Sequence, residues 1–220
     1  MVVSLSRRLM AEAMGTCMLV VTVVGSGIMA ERLSAGQQAL ALLANALATG
    51  AGLFVWIVTL APLSGAHFNP LVSGLGPGSR DIPRPERVGY GVAQTAGALV
   101  AILMVHAMFG LPLVQVSDTV RTGPGTWLAE GLATMALLSV LHGARRAGHG
   151  LVLTAASVAL VIVAGYWATA STSFANPAVT LARAFTDTFT GIRPVDVPAF
   201  VAAQLAGAWL AGLVWRGVED

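Results

Sequence analysis

Six long apolar segments divide this chain and leave little of it outside them. They lie at 9–30, 38–60, 88–109, 126–144, 150–170 and 197–215. A helix of about 20 apolar residues crosses the ~30 Å hydrocarbon core of a bilayer. The chain has 220 residues, of which 56% are hydrophobic and 10% are charged, whereas soluble domains contain about 25% charged residues. The sequence therefore predicts an all-α integral membrane protein that crosses the lipid bilayer six times.

The charged residues between the apolar segments predict the topology. All twelve basic residues are arginines. Six spans place both termini on one side, together with Arg7, Arg8, Arg80, Arg84, Arg87, Arg145, Arg146 and Arg216. The opposite side receives Arg32, Arg121, Arg183 and Arg193. Because cytoplasmic loops carry an excess of basic residues, we expect both termini in the cytoplasm.

Several function classes are disfavoured by what the sequence lacks. The formal net charge of +2 is too small to favour a nucleic-acid partner. Cys17 is the single cysteine, so one chain can form neither a disulfide nor a thiolate metal site. We identify no nucleophile paired with a base, no metal-ligand cluster and no nucleotide-binding glycine loop. We therefore expect no enzyme activity, no metal and no cofactor.

Two shorter segments, "SGAHFNPLVSGLG" and "TSFANPAVTLARAF", follow the second and fifth apolar segments, and each contains an Asn-Pro pair. Asparagine is a good helix N-cap, and proline is favoured at the next position, where no N–H is needed. Asn69-Pro70 and Asn176-Pro177 therefore each predict the start of a half-helix at membrane depth. Irregular backbone is tolerated there only when it is buried in protein or lines a water-filled cavity, so we expect these segments to border a pore.

The two halves of the sequence repeat each other. The string "AEAMGT" recurs as "AEGLAT", "AQTAGA" recurs as "AQLAGA", and the Asn-Pro pairs keep the same order between them. The sequence predicts a single channel domain, 1–220, with a first repeat at 1–115 and a second at 116–220. Since each repeat has three spans, the second copy enters the membrane inverted. The half-helix N-termini, each with roughly +0.5 charge, then meet near the midplane and oppose cations.

The twin Asn-Pro boxes, the "SGAHFNP" lead-in and the paired "AE…T" and "AQ…AG" motifs resemble the major intrinsic protein family, the aquaporins and aquaglyceroporins, over nearly the whole chain. The resemblance implies an aquaporin-like fold with two membrane-embedded half-helices, one pore per chain, and a homotetramer. It implies pore-facing boxes formed by Asn69, Pro70, Leu71, Asn176, Pro177 and Ala178. It implies support of the pore loops by Glu12, Glu130, His67, Gln94 and Gln204. A proton relay is the alternative role for the buried carboxylates.

The chain departs from the family at the outer constriction. The family has an arginine after the second Asn-Pro-Ala, where this chain has Val179. Counting from the two asparagines, the other constriction positions are Thr49, Ala164 and Ser173, with Gly165 as the neighbouring alternative to Ala164. None of these side chains is bulky, aromatic or charged, so the resemblance implies a wider opening than in water-selective members.

Two further residues bear on the width and charge of the pore. Leu71 replaces the usual alanine of the first box and adds bulk near the midplane. Arg183 lies one helical turn beyond Val179 on the same face. We expect Arg183 among the lipid headgroups, with a place at the pore mouth as the alternative.

These features predict a passive channel of the bacterial inner membrane for small uncharged solutes, namely arsenite and other metalloid acids, glycerol-like polyols and water. The missing constriction arginine is similar to a bacterial aquaglyceroporin branch associated with arsenic resistance, which implies arsenite efflux. An orthodox water or glycerol channel is the close alternative. A proton-coupled transporter also uses inverted repeats and broken helices, and only Glu12, Glu130 and His67 could couple protons. A pore-less junction protein is the third alternative.

Overall fold

The structure is a computed structural model and describes residues 3–219. The described residues form eight α-helices, α1 Leu5–Leu33, α2 Gln38–Ser64, α3 Pro70–Leu75, α4 Arg84–Phe109, α5 Pro124–Arg146, α6 Leu151–Ala168, α7 Pro177–Arg183 and α8 Val197–Glu219. Short 3-10 turns at Pro77–Asp81 and Pro194–Asp196 precede α4 and α8. Six helices, all but α3 and α7, are long and apolar enough to cross a membrane. The predicted six-span, all-helical fold is confirmed.

The connections place both chain ends on one side of the molecule. We call this side the terminal face and the opposite side the distal face. Helices α1, α4 and α6 run from the terminal face to the distal face, and α2, α5 and α8 return. Helix α3 leads from the middle of the molecule to the terminal face, because the 3-10 turn and α4 follow it there. Helix α7 leads in the same way to the distal face.

The two half-helices begin at the residues that the Asn-Pro pairs predict. Asn69 is the N-cap of α3, and its Oδ1 accepts a hydrogen bond from the Leu71 N–H at 2.9 Å. Asn176 is the N-cap of α7, and its Oδ1 accepts from the Ala178 N–H at 3.0 Å. Proline follows each asparagine as the first helical residue, where the missing N–H costs no hydrogen bond.

Glycines allow the long helices of each repeat to pack closely. A Cβ atom on Gly97 of α4 would lie 2.0 Å from the Ala13 carbonyl oxygen of α1. A Cβ atom on Gly207 of α8 would lie 2.0 Å from the Gly131 carbonyl oxygen of α5. These glycines belong to the repeated "AQTAGA" and "AQLAGA" motifs, and small residues let helix backbones approach each other inside a membrane. The repeated motifs therefore mark a close helix–helix crossing that occurs in both repeats.

Candidate functional site

The tips of the two half-helices meet through reciprocal hydrogen bonds. The Asn69 Nδ2 donates to the Ala175 carbonyl oxygen, and the Asn176 Nδ2 donates to the Phe68 carbonyl oxygen, both at 2.7 Å. Each asparagine amide has two N–H donors, so one N–H per amide is left for a ligand. Both asparagines line a cavity in the molecule. The junction can therefore donate two hydrogen bonds to an oxygen atom that passes it.

A buried carboxylate holds the loop that leads into the first half-helix. The Glu12 side chain, fully buried, accepts from the His67 N–H at 3.0 Å and from the Phe68 N–H at 2.7 Å. The Gln94 Nε2 donates to Glu12 at 2.8 Å and to the Ser73 hydroxyl at 2.9 Å. The carboxylate thereby fixes two loop N–H groups that face away from the cavity.

The second repeat reproduces this arrangement. The fully buried Glu130 accepts from the Phe174 N–H at 3.2 Å and from the Ala175 N–H. The Gln204 Nε2 donates to Glu130 at 2.8 Å and to the Thr180 hydroxyl at 2.7 Å. Neither this carboxylate nor its counterpart in the first repeat is among the described residues that line the cavity. This geometry fits support of the loops better than transfer of protons along a pore.

Both loops contain the same unusual backbone. Ala66 and Phe68 have φ values of 51° and 49°, and the corresponding Ser173 and Ala175 have values of 53° and 50°. Residues with side chains rarely adopt this left-handed region, at a cost of order 1–3 kcal/mol each. The carboxylate hydrogen bonds offset that cost. The sequence offers no signal for these conformations, because none of the four residues is glycine.

A cavity of about 290 Å³ extends through the middle of the molecule. Its lining runs from Gly78 and Arg145 near the terminal face to Arg183 near the distal face. One side consists of the two loops and their asparagines. The other side is apolar and consists mainly of Leu19, Val23, Leu53, Ile57, Leu137, Leu141, Val158 and Ile162. A solute with hydroxyl groups on one side and little polarity on the other matches such a lining.

Three of the four expected constriction residues line this cavity. Thr49, Ser173 and Val179 are buried and lie on its wall. Ala164 does not, because it is exposed on the outer surface of α6. Tyr166 takes the place expected for Ala164, and its hydroxyl lies 3.2 Å from the Thr49 hydroxyl. Residues two apart on a helix point in directions that differ by about 200°. Counting two residues short therefore selected Ala164, which points outward, instead of Tyr166, which points into the cavity.

The neighbouring alternative, Gly165, has a packing role. A Cβ atom at Gly165 would lie 2.5 Å from the Ser173 Oγ, so the glycine lets the second loop approach α6. The expectation that no aromatic side chain lies at this level is therefore wrong. Tyr166 lines the cavity and also a second cavity of about 400 Å³ on its distal side.

Arg183 also lies between the two cavities, and its expected place among the headgroups is wrong. Its side chain is only 3% exposed and lines both cavities. The guanidinium carbon lies 3.3 Å from the centroid of the Phe174 ring, and the Nε donates to the Thr190 carbonyl oxygen. The i, i+4 relation to Val179 was the signal in the sequence that could have indicated this position.

Of the two boxes, only the asparagines are among the described residues that line the cavity. Leu71 is 5% exposed and packs with Val72, Leu138, Ala208 and Ala211, so its extra bulk contacts α5 and α8. The remaining box residues, Pro70, Pro177 and Ala178, form the first turns of the half-helices and do not contribute to the described lining. Leu71 therefore leaves the bore unobstructed.

The terminal-face entrance is lined by His67 and Arg145. The His67 Nδ1 lies 3.1 Å from the Ser73 hydroxyl. The Arg145 guanidinium donates to the Pro77 carbonyl oxygen at 3.0 Å and to the Asp81 carboxylate at 3.1 Å. The hydrogen bond from Arg145 holds the pKa of Asp81 below its ordinary value. Among residues 3–219, no three His, Cys, Asp or Glu side chains are grouped as metal ligands.

Comparisons with known proteins agree with this geometry. The model of the family described as "Major intrinsic protein" matches residues 1–134. The chain is 52% identical to Aquaglyceroporin AqpS of Rhizobium meliloti, over 96% of this chain and 90% of the relative. It is 28% identical to Aquaporin Z of Bradyrhizobium diazoefficiens, over 96% and 92%. The crystal structure of the aquaglyceroporin from Plasmodium falciparum has a similar fold, with a TM-score of 0.68, 22% identity, and coverage of 96% of this chain and 94% of that one.

Members of this family are passive channels and not enzymes. The six apolar helices make this chain a multi-pass membrane protein. The continuous cavity and the paired half-helices are what passage of small neutral solutes needs. The chain belongs to the major intrinsic protein family and is a channel for small solutes.

Proposed function

We propose that the channel conducts neutral solutes larger than water, namely arsenous acid and other metalloid acids together with glycerol-like polyols. The observation that carries this proposal is Val179, which stands where the family has an arginine and lies on the cavity wall. The neighbouring Thr49 and Ser173 are also small. A channel without a guanidinium at this level has room for a solute with several hydroxyl groups.

The lining supports solutes of this kind. Loop backbone and asparagine amides offer hydrogen-bond partners on one side, and aliphatic side chains cover the other. Arsenous acid is mostly uncharged at neutral pH, so it meets no charge barrier. A relative that is 52% identical has the name aquaglyceroporin, which supports a bore wide enough for polyols. In the cell, we propose that arsenite leaves through this channel down its gradient.

A second candidate, an orthodox water or glycerol channel, is favoured by Tyr166. The ring lines the cavity beside Thr49 and narrows the opening that Val179 leaves. The experiment below separates the two candidates by solute size.

The test is influx into proteoliposomes that contain the wild type, Val179→Arg or Val179→Leu. Arsenous acid, glycerol and water permeabilities are measured on the same vesicles. Val179→Arg is expected to lower arsenous acid influx by about tenfold while water permeability persists. Val179→Leu adds bulk without charge, and so separates the effect of side-chain size on influx from the effect of charge.

Two outcomes would contradict the proposal. If the wild type passes water but not arsenous acid, the metalloid proposal fails and a water or glycerol channel remains. If Val179→Arg leaves arsenous acid influx unchanged, the selectivity lies elsewhere in the cavity.

We also propose that Thr49, Ser173, Val179 and Tyr166 set the size limit, and that the channel is a homotetramer in a bacterial inner membrane with cytoplasmic termini. The terminal face carries eight arginines and the distal face four. That asymmetry supports the orientation. The tetramer is supported by the resemblance to the family.

A further inference from the structure

The Arg183 guanidinium is buried at the distal end of the channel without a carboxylate partner. Its side chain is 3% exposed, and the ion pairs found among residues 3–219 involve other arginines. Its Nε is bonded to the Thr190 carbonyl oxygen, while Nη1 and Nη2 have no acceptor within the described part of the chain. A buried, unpaired charge is costly, which makes it a candidate for a functional group.

A second arginine contacts the same aromatic ring. The Arg121 guanidinium carbon lies 5.1 Å from the centroid of Phe174, on which Arg183 also stacks. The Arg121 Nε donates to the Gly191 carbonyl oxygen at 2.7 Å, and this bond fixes the side chain. Both arginines line the distal cavity. Two guanidinium groups therefore contact one ring and line one cavity despite their mutual repulsion.

The nearest carboxylates are occupied by other donors. Asp196 accepts from the Arg121 backbone N–H at 2.8 Å and from the Arg193 side chain at 3.1 Å. Glu130 accepts from the loop N–H groups and from Gln204. Among the described residues, no carboxylate therefore forms an ion pair with Arg183 or Arg121, so net positive charge faces the distal cavity.

A third polar group lies beside the arginines. Thr190 is 1% exposed, and its hydroxyl has no hydrogen-bond partner among the described residues. The same residue lines the distal cavity and accepts the Arg183 Nε through its carbonyl oxygen. The Arg121 Nη2 also donates to the Phe189 carbonyl oxygen, at 3.4 Å. The site thus combines Nη1 and Nη2 of Arg183, Nη1 of Arg121 and a spare hydroxyl.

We propose that Arg183 and Arg121 form an oxyanion-binding site at the boundary between the channel cavity and the distal cavity. Guanidinium groups donate paired hydrogen bonds to oxygens of one anion, and such bonds are strong because both partners are charged. The ligand is a small oxyanion with at least two free oxygens, of the sulfate or phosphate type. Because Arg183 lines both cavities, a bound oxyanion obstructs the route of neutral solutes, and the unoccupied site repels cations.

Arg183 supplies a positive charge at the distal end of the channel, although Val179 stands where the family has an arginine. Arg183 lies about 6 Å further along α7 than Val179, and its guanidinium reaches Thr190 and the distal cavity, on the mouth side of the constriction. The constriction stays wide, and the charge selection occurs outside it. This inference rests on the channel activity and not on arsenic as the solute.

The test is glycerol influx into proteoliposomes with sulfate on both sides, at constant ionic strength and with chloride, which has no oxygen atoms, as the reference anion. Sulfate is expected to reduce wild-type influx by about half at its dissociation constant. Arg183→Gln and Arg121→Gln are each expected to raise the sulfate concentration required by about tenfold or more. Inhibition is expressed as the ratio of fluxes with and without sulfate in the same vesicles.

Arg32→Gln is the matched control, because Arg32 is exposed on the same face, stacks on Phe109 and lines neither cavity among the described residues. Its sulfate inhibition is expected to equal that of the wild type. If Arg183→Gln does not insert into the membrane, the sulfate inhibition of Arg121→Gln tests the proposal. If the wild type does not conduct glycerol, water permeability is measured in its place. Wild-type flux that ignores sulfate, or equal inhibition in both arginine variants and the wild type, would overturn the proposal.

Discussion

We expect individual side chains at the distal end of the channel to set its selectivity by size and by charge. Val179 leaves space, Tyr166 takes up part of it, and Arg183 places charge nearer the mouth. The Tyr166 hydroxyl lies 3.2 Å from that of Thr49, across the boundary between the two repeats. The ring is therefore held in place by a partner on α2, and we expect its size to limit the size of the solutes that pass.

Replacing Tyr166 tests this expectation. Tyr166→Ala removes the ring from the lining and the hydrogen bond to Thr49, so we expect influx of a four-carbon polyol, relative to glycerol, to rise about twofold or more. The measurement is stopped-flow light scattering of proteoliposomes. Ala164→Leu is the control, because Ala164 is exposed on the outside of α6 and its replacement should leave the ratio unchanged. A changed ratio in Ala164→Leu alone would restore Ala164 as the constriction residue.

The buried carboxylates provide a second prediction at this scale. Glu130→Gln keeps the size of the side chain but removes the charge that accepts the Phe174 and Ala175 N–H groups. We expect a loss of stability of about 2–4 kcal/mol, read as a lower unfolding midpoint in detergent by circular dichroism. The exposed Glu31→Gln should change it little. A normal midpoint combined with loss of a pH-gradient response would instead indicate proton coupling.

The constriction residues that could be located from the sequence are those that lie only a few residues from an asparagine, within the same loop or half-helix. Ser173 and Val179 belong to the same loop and half-helix as Asn176, so counting from it succeeds. The count fails on α6, because it must cross the loop at 169–176 and any slip rotates the helical face. The burial of Arg183 depends on Phe174 and Thr190, contacts that no local pattern encodes.

Among the elements, the long helices and half-helices were predictable because hydropathy and capping are local properties. The crossing of α4 over α1 and of α8 over α5 was visible only as a repeated motif. Its cause is the 2.0 Å approach that a Cβ atom at Gly97 or Gly207 would make to a backbone oxygen. These helices hold Gln94 and Gln204 against the loops, so the crossing also positions the pore.

Adding a methyl group at this crossing should therefore destabilise the fold. Gly207→Ala forces α8 away from α5, and we expect a cost of about 1–3 kcal/mol from overpacking. Gly217→Ala, in the same helix, meets nothing within 4 Å and should be neutral or slightly stabilising, since alanine favours helix over glycine. Thermal unfolding of the two variants in one detergent gives the comparison. Equal midpoints would mean that α8 can shift without cost.

At the scale of the whole molecule, the two inverted repeats enclose one cavity whose described lining includes no carboxylate. The titratable or cationic groups on that lining are His67, Arg145, Tyr166 and Arg183. A transporter that couples protons to solute needs a group that changes charge during each cycle. The carboxylates nearest the pore hold the loops by hydrogen bonds in both repeats. This arrangement fits a structural role better than a role in proton transfer.

We therefore expect flux that is proportional to the solute gradient and indifferent to an imposed pH gradient. Asp81 bears on the lower pH limit, since the hydrogen bond from Arg145 keeps its pKa below the ordinary value. The Arg145–Asp81 pair at the terminal-face entrance is then intact above about pH 4 and is lost only as pH falls through that lowered pKa. Neutral-solute influx should stay constant between about pH 5 and 8. The measurement is influx at stepped pH with and without a gradient. A step in influx within this pH range would contradict the prediction, and saturating flux driven by the gradient would establish a coupled transporter.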